Sequence, residues 1–415
     1  MIRFSVVVLV AIATVVGCAG EADEHRGVVV RDSAGIRIVE NEGASWTSDQ
    51  AWHLSQEPIA EIGRLDEPAH QLSRVVGATR LADGRIVVGD GGSGELRFFD
   101  AFGQYLATAG GKGDGPGEFR FMLYVTRVAG DTLVAGNGFP PGRQAWFTAD
   151  GTFIDQTARD LTGRLDPERH FSEFALTLPD GSLLMYVNVR STPLRNPVRR
   201  SRFGFIRVSR DGSAQDTLGW FAGMEFMYRG SGAQTTAGPT PFSSKTVIAL
   251  STDHILAAET GRYEIRRIRF DGRIDLIIRV TVEPRPVTGA DRAAFREEIL
   301  EFARQQNREP RYQRWLAEIE FPEFKPPLAA LVSDAMGNIW VKEEQGPYPN
   351  DVWAVFDGEG FLLGRVEMPT DLCEPQCGEP FGGIMEIGSD YVLATLRDEF
   401  DVEYVRVYDL IKPGQ

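Results

Sequence analysis

ADGRIVVGD, residues Ala82–Asp90, sets an Asp-Gly turn before a run of three β-branched residues and ends on a glycine and an acid. Asp-Gly supplies the positive φ of a tight hairpin turn, and the β-branched run suits a pleated strand. The pattern returns five times: AGDTLVAGN (Ala129–Asn137), PDGSLLMYV (Pro179–Val187), STDHILAAE (Ser251–Glu259), AMGNIWVKE (Ala335–Glu343) and GSDYVLATL (Gly388–Leu396). A second signal, an apolar residue four positions before a glycine, follows the first five copies: FDAFG ending at Gly103, FTADG at Gly151, VSRDG at Gly212, IRFDG at Gly272 and FDGEG at Gly360. In the sixth copy only VYDL near the C-terminus remains of it.

Each copy therefore encodes two hairpins, a four-stranded antiparallel unit that cannot bury both faces alone. A ring of such units can. The expected fold is all-β: a six-bladed β-propeller over residues 35–412, with a helical insertion at 283–327 between blades 4 and 5. Only three strands are evident in the last blade, near Phe381–Ile387, Tyr391–Leu396 and Glu403–Tyr408. GIRIVE or PIAEIG, both near the N-terminus, can supply the fourth and remove the exposed edges.

GGKGDGPGEF (Gly110–Phe119) has the glycine content of a phosphate loop, but Lys112 is followed by Gly113 where such a loop needs Ser or Thr. The following FRFMLYVTRV is β-rich, whereas a phosphate loop opens a helix. The segment is expected to cross from one blade to the next. With the repeated turns and the tail DEFDVEYVRVYDL, it resembles bacterial six-bladed propellers of the NHL-like kind, many of them lipoproteins. The resemblance runs from RDSAGIRIVEN to Leu410 and implies the fold; activity stays open, because propellers host many chemistries.

At the N-terminus, Arg3 precedes an apolar run from Phe4 to Val16, too short for a bilayer that takes about 20 residues. Gly17-Cys18 after it resembles a bacterial lipobox. That resemblance implies a signal peptide at 1–17, lipidation of Cys18 and a tether over 18–34. With Ala19 rather than an aspartate after Cys18, the same resemblance implies the outer membrane, facing the periplasm of the cell envelope. Cys373 and Cys377, in CEPQC, are expected to form a local disulfide in that compartment; no second pair with ligand spacing supports zinc. The net charge of −15, without a basic domain, argues against nucleic acid.

In a blade with strands a to d, the a–b and c–d turns lie on one face and the b–c and d–a loops on the other. The repeated turns belong to the first class. The irregular segments Arg190–Arg202, Gly346–Asp351, Ala222–Ser244 and Glu283–Pro327 belong to the second, and insertions gathered on one face mark a binding face. In the largest, TGADRAAFREEILEFARQQ starts at a Thr288 cap and places Phe295, Ile299 and Phe302 on one stripe. A second helix, about Tyr312–Ile319, presents Trp315 and Ile319. The pair either packs on the rim or closes over the channel as a lid.

Aligning the six copies puts Asp90, Asn137, Val187, Glu259, Glu343 and Leu396 at the end of the second strand. Asp90, Asn137, Glu259 and Glu343 carry oxygen ligands of the kind Ca²⁺ takes, though strand-end acids also bind their own loops. Arg190, Arg195, Arg199, Arg200 and Arg202 form an acid-free stretch suited to anionic groups. Arg397, beside Asp398, can pair with it or join them as a ligand contact. The five histidines do not converge, and no G-x-S-x-G elbow is present. The sequence thus points to a binding module for an envelope protein, peptide or glycan, touching the membrane only through its N-terminal lipid. The alternative is a metal-dependent hydrolase or lactonase built on the four oxygen-bearing strand ends.

Overall fold

A computed structural model describes residues 27–136, 142–159, 170–178, 180, 182–189, 198–209, 215–230, 235–251, 253–344, 351–369, 383–398, 400 and 402–413. Four strands precede the first repeat: β1 (Val28–Ser33), β2 (Ile36–Asn41), β3 (His53–Leu54) and β4 (Ala60–Ile62). Sheet 1 is β5 (Val75–Arg80), β6 (Ile86–Asp90), β7 (Glu95–Phe99) and β8 (Tyr105–Gly110). Sheet 2 is β9 (Tyr124–Val128), β10 (Thr132–Gly136), β11 (Gly142–Phe147) and β12 (Phe153–Arg159). Sheet 3 is β13 (His170–Thr177), β14 (Leu183–Val189), β15 (Val198–Val208), β16 (Gln215–Arg229) and β17 (Thr236–Pro239). Sheet 4 contains β18 (Thr246–Leu250), β19 (His254–Glu259), β20 (Glu264–Arg269) and β21 (Ile274–Val280). Two helices follow, α1 (Gly289–Gln305) and α2 (Glu309–Ala317). Sheet 5 is β22 (Leu328–Ser333), β23 (Ile339–Glu343), β24 (Asp351–Phe356) and β25 (Leu362–Met368). Sheet 6 contains β26 (Ile384–Ile387), β27 (Tyr391–Arg397) and β28 (Glu403–Ile411).

The repeats thus fold as hairpin pairs, and the first strand of each sheet faces the axis. β5 lies against β9, β9 against β13, β18 against β22, β22 against β26, and β26 returns to β5. Sheets 3 and 4 share a core of Phe203, Phe205 and Leu218 with Ile255, Ala257 and Ile268. This circular order of small sheets is that of a β-propeller.

The two N-terminal candidates for the closing strand have different fates. PIAEIG closes sheet 6: β4 pairs with β28 through Ala60↔Val407, Glu61↔Arg406 and Ile62↔Val405. Ala60, Ile62, Val405 and Val407 are buried in one cluster with Ala78, Ile86, Val88 and Phe99 of sheet 1. GIRIVE instead becomes β2, parallel to β21 on the outer edge of sheet 4, with β1 outside it. Residues 28–33, counted with the tether from sequence, are therefore strand.

Between these ends the chain straps sheet 5 from outside. The buried Asn41 side chain donates to Gly360 O at 3.0 Å and accepts from Leu362 N at 2.9 Å. The Trp46 ring occupies the space above Gly364, where a Cβ would come within 2.0 Å of it. The Trp46 and Trp52 rings meet at a tilt, 4.7 Å apart, Trp52 lies 6.0 Å from Trp340, and Lys412 caps the Trp52 ring at 4.1 Å.

Ile62→Ala removes a fully buried side chain at the closure and is expected to lower stability by about 2–5 kcal/mol in urea unfolding. Val29→Ala, on the exposed β1, should stay within about 0.5 kcal/mol. Equal effects would contradict the closure.

Candidate functional site

The β5–β6 and β7–β8 turns and their equivalents lie on one side of the ring, and the β6–β7 and β8–β9 connections on the other. Gly111 to Leu123 is such a connection, from the outer strand of sheet 1 to the inner strand of sheet 2. It is closed by Phe119 N donating to Gly111 O at 2.8 Å.

The three described strand-end acids do not share a point. Buried Asp90 accepts from Gly92 N at 2.9 Å, Ser93 N at 3.0 Å and Ser73 N at 3.2 Å, and pairs with Arg97 at 3.2 Å. Buried Glu343 receives both arms of the Arg365 guanidinium at 2.9 and 3.0 Å and the Tyr263 hydroxyl at 3.1 Å. Burial first, then the Glu343 carboxylate, pushes the Tyr263 hydroxyl well above its ordinary range, so it remains a donor. Glu259 is half-exposed and pairs with Arg200 at 3.0 Å. Each carboxylate spends its lone pairs on its own sheet or the adjoining one. Among the described residues no group of three or more His, Cys, Asp or Glu could hold a metal ion. Asn137 lies outside the described residues, as do Cys18, Cys373, Cys377, Arg190 and Arg195.

The arginine stretch is only partly loop. Val198 to Arg202 belong to β15, so Arg199, Arg200 and Arg202 are strand residues. Arg199 lies over the Tyr228 ring at 4.7 Å and Arg202 over Trp220 at 6.0 Å, while Arg200 also donates to Ser244 O. Arg397 pairs with Glu403 at 2.6 Å, not with Asp398, whose carboxylate accepts from Phe400 N and Val402 N at 2.9 Å each. Glu403 also accepts from Val75 N at 2.8 Å, which ties sheet 6 to sheet 1.

The connection after sheet 3 is not a plain loop either. β16 runs 15 residues and β17 pairs with its far end. On this extension sit the helices, with Met227, Ile299, Ala303, Tyr312, Trp315 and Leu316 forming a core of their own. Trp315 Nε1 donates to Met227 O at 3.1 Å, and Arg311 donates to Thr236 Oγ1 at 2.6 Å. The Thr288 cap forms a capping box with Asp291, and buried Lys325 pairs with Asp291 at 2.7 Å. The stripe of α1 differs from the expected one. Ala303 faces the core at i+8 from Phe295, and Phe302 is exposed.

One polar junction has no sequence signature. Glu386 accepts from Thr79 Oγ1 and Tyr391 OH and pairs with Arg127 at 3.3 Å, so β26, β5 and β9 meet at one carboxylate. Two of its partners, Thr79 and Arg127, are 307 and 259 positions away, a distance no local pattern bridges.

No family model matches this chain, and no curated protein matches it. Among solved structures, it is similar to an exported protein of Bacteroides fragilis at 14% identity and TM-score 0.44, over 90% of this chain and 100% of that one. A DUF4221 member from Bacteroides vulgatus gives 9% and 0.48, over 88% and 100%. Regucalcin of Agrobacterium tumefaciens, a calcium-binding protein, gives 12% and 0.37, over 88% and 96%. These are propeller-like proteins.

A ligand held only by the folded state raises the melting temperature, and because Asp90 and Glu343 are committed to Arg97 and Arg365, Asp90→Asn and Glu343→Gln are expected to leave any response to saturating Ca²⁺ unchanged. A calcium-dependent rise lost in Asp90→Asn or Glu343→Gln would restore the metal reading. A second expectation concerns acid. His70 is buried against Phe99 at 5.2 Å, and burial, then Arg64, holds its pKa down. His254 is shifted the same way, chiefly by burial. The unfolded chain then takes up protons first, so stability falls as pH drops below about 6.5. Replacing both with Gln should flatten the urea midpoint between about pH 6.5 and 5; an unchanged slope would contradict it.

Proposed function

We propose that the chain is a lipid-anchored, six-bladed, NHL-like propeller of the cell envelope, acylated at Cys18, that binds a protein, peptide or glycan on its loop-rich face. The observation that carries this reading is the one-sided elaboration. The β15–β17 extension and α1–α2 rise from the same side of the ring and are fixed to each other by a separate core. A raised wall with its own core suits recognition, because it pre-orders the groups that a partner meets. The described acids support binding over hydrolysis, since Asp90 is held by Arg97 and backbone N–H groups and Glu343 by Arg365 and the Tyr263 hydroxyl.

The stretch 190–197 leads into this wall and carries Arg190 and Arg195. Replacing it with a Gly-Ser stretch of equal length should abolish capture of envelope protein, peptide or glycan fractions by the purified mature chain, with the melting temperature unchanged. Replacing Phe102 and Met336, which lie on the turn side, should have no effect. Loss of capture in the turn-side variant alone would contradict the assignment of the face.

A further inference from the structure

Strand direction fixes where the tether leaves the ring. Each sheet's fourth strand runs toward the loop-rich side, and β21 is the fourth strand of sheet 4. β2 is parallel to β21 and β1 is antiparallel to β2, so β1 begins on the loop-rich side. There Val28 pairs with Asn41, Asn41 with Val280, and Gly27 O accepts from Glu42 N at 2.7 Å. Residues 18–26 are nine in number and span at most about 30 Å, at about 3.3–3.6 Å per residue. An acyl group on Cys18 therefore keeps the point where β1 begins, on the loop-rich side, within about 30 Å of the bilayer. The turn side is farther by the length of a strand, about 17–20 Å.

Exposed apolar side chains also mark the connections of the loop-rich side. Leu65 is 67% exposed, Phe121 58% and Phe400 78%. They sit in three separate connections on the loop-rich side, β4–β5, β8–β9 and β27–β28. Val282, Phe302 and Phe324, in the connection that carries the helices, are also exposed. On the other side Phe102 and Met336 are exposed in turns, and Tyr105, Phe153 and Ile411 are exposed at the adjoining strand ends, within strands rather than at loop tips.

The tips are built to present these residues. Asp398 Oδ1 accepts the Phe400 and Val402 amides while Oδ2 accepts the Tyr404 hydroxyl at 3.0 Å, which fixes the turn bearing Phe400. Arg120, before Phe121, is neutralised by Asp114 at 2.6 Å, and Arg64, before Leu65, by Glu67 at 3.0 Å. Leu65 O accepts from Gln71 Nε2 at 2.7 Å. At Leu65 and Phe121, apolar tips beside paired charges match the lipid–water boundary, where apolar side chains enter the acyl region and compensated charges stay among headgroups.

We propose that the loop-rich face docks on the bilayer that carries the anchor, with Leu65, Phe121 and Phe400 entering its surface. This rests on the anchor at Cys18 and goes beyond the binding reading, because it makes the lipid surface itself a partner of the face. A bound ligand then reaches that face along the membrane.

The test is photo-crosslinking of the full chain, expressed in a bacterium and reconstituted by its own lipid in vesicles of phosphatidylethanolamine and phosphatidylcholine. Benzoylphenylalanine replaces Phe121, Phe400 or, as the turn-side control, Phe102. Phospholipid adducts at Phe121 and Phe400, and none at Phe102, are expected. The mass of the N-terminal peptide reads acylation separately. Acylated Cys18 without lipid adducts at Phe121 and Phe400, or with equal adducts at Phe102, overturns the docking alone. Protein adducts in cells at Phe121 and Phe400 in place of lipid ones overturn the docking and leave the binding reading intact. An unmodified Cys18 overturns the anchor and this proposal with it.

Discussion

Three residues near the start of the described chain, Ala60 to Ile62, pair with Val405 to Val407 near its end, and the ring depends on that short ladder. Without it sheet 6 leaves β28 open except at Leu410 and Ile411, which pair with β3, and the cluster it shares with sheet 1 loses Ala60 and Ile62. Open edges recruit other chains, and β4 leaves the sheet with only a short outer edge of its own. The ladder is short, so it is reinforced by Arg406 donating to Glu61 at 2.6 Å and by the strap of Asn41, Trp46 and Trp52 across sheets 4 to 6. Glu386 adds a polar tie where sheets 6, 1 and 2 meet.

A closed ring fixes which connections emerge on which side, and so where variation is tolerated. The turn side is held by Asp and Asn side chains that bind their own turns, as Asp100 does with the Phe102 and Gln104 amides at 2.9 and 2.8 Å. The other side carries the wall of β15 to β17 and the helices, the emerging tether and most of the exposed apolar tips. Closure, anchoring and recognition are thus linked, because the strand that leads out of the anchor is added to the same ring whose face is displayed.

The turn-and-strand repeats were legible because a hairpin is local: Asp83-Gly84 and Asp271-Gly272 reveal their turns within a few residues. PIAEIG could be paired with the last sheet by counting strands, whereas GIRIVE could not be placed, since a parallel partner such as β21 leaves no mark in either sequence. The arginines after Pro197 read as loop because arginine is neutral to strand or coil, and their aromatic partners Trp220 and Tyr228 lie beyond a turn. Asp90, Glu259 and Glu343 were rightly aligned by position, but alignment does not show partners. Arg97, Arg200 and Arg365 decide their chemistry, and all three sit on other strands at no fixed spacing.

Ring closure is tested most directly by a disulfide across the ladder. Glu61 and Arg406 are directly opposed, a separation of about 4.5–5.5 Å between Cα atoms in an antiparallel pair and within disulfide reach. With Glu61→Cys and Arg406→Cys in one chain, mild oxidation should join the two peptides and raise the urea midpoint. Joined peptides with a lowered midpoint, or no junction while Cys373 and Cys377 are accounted for by mass, would contradict a ring shut by its own two ends.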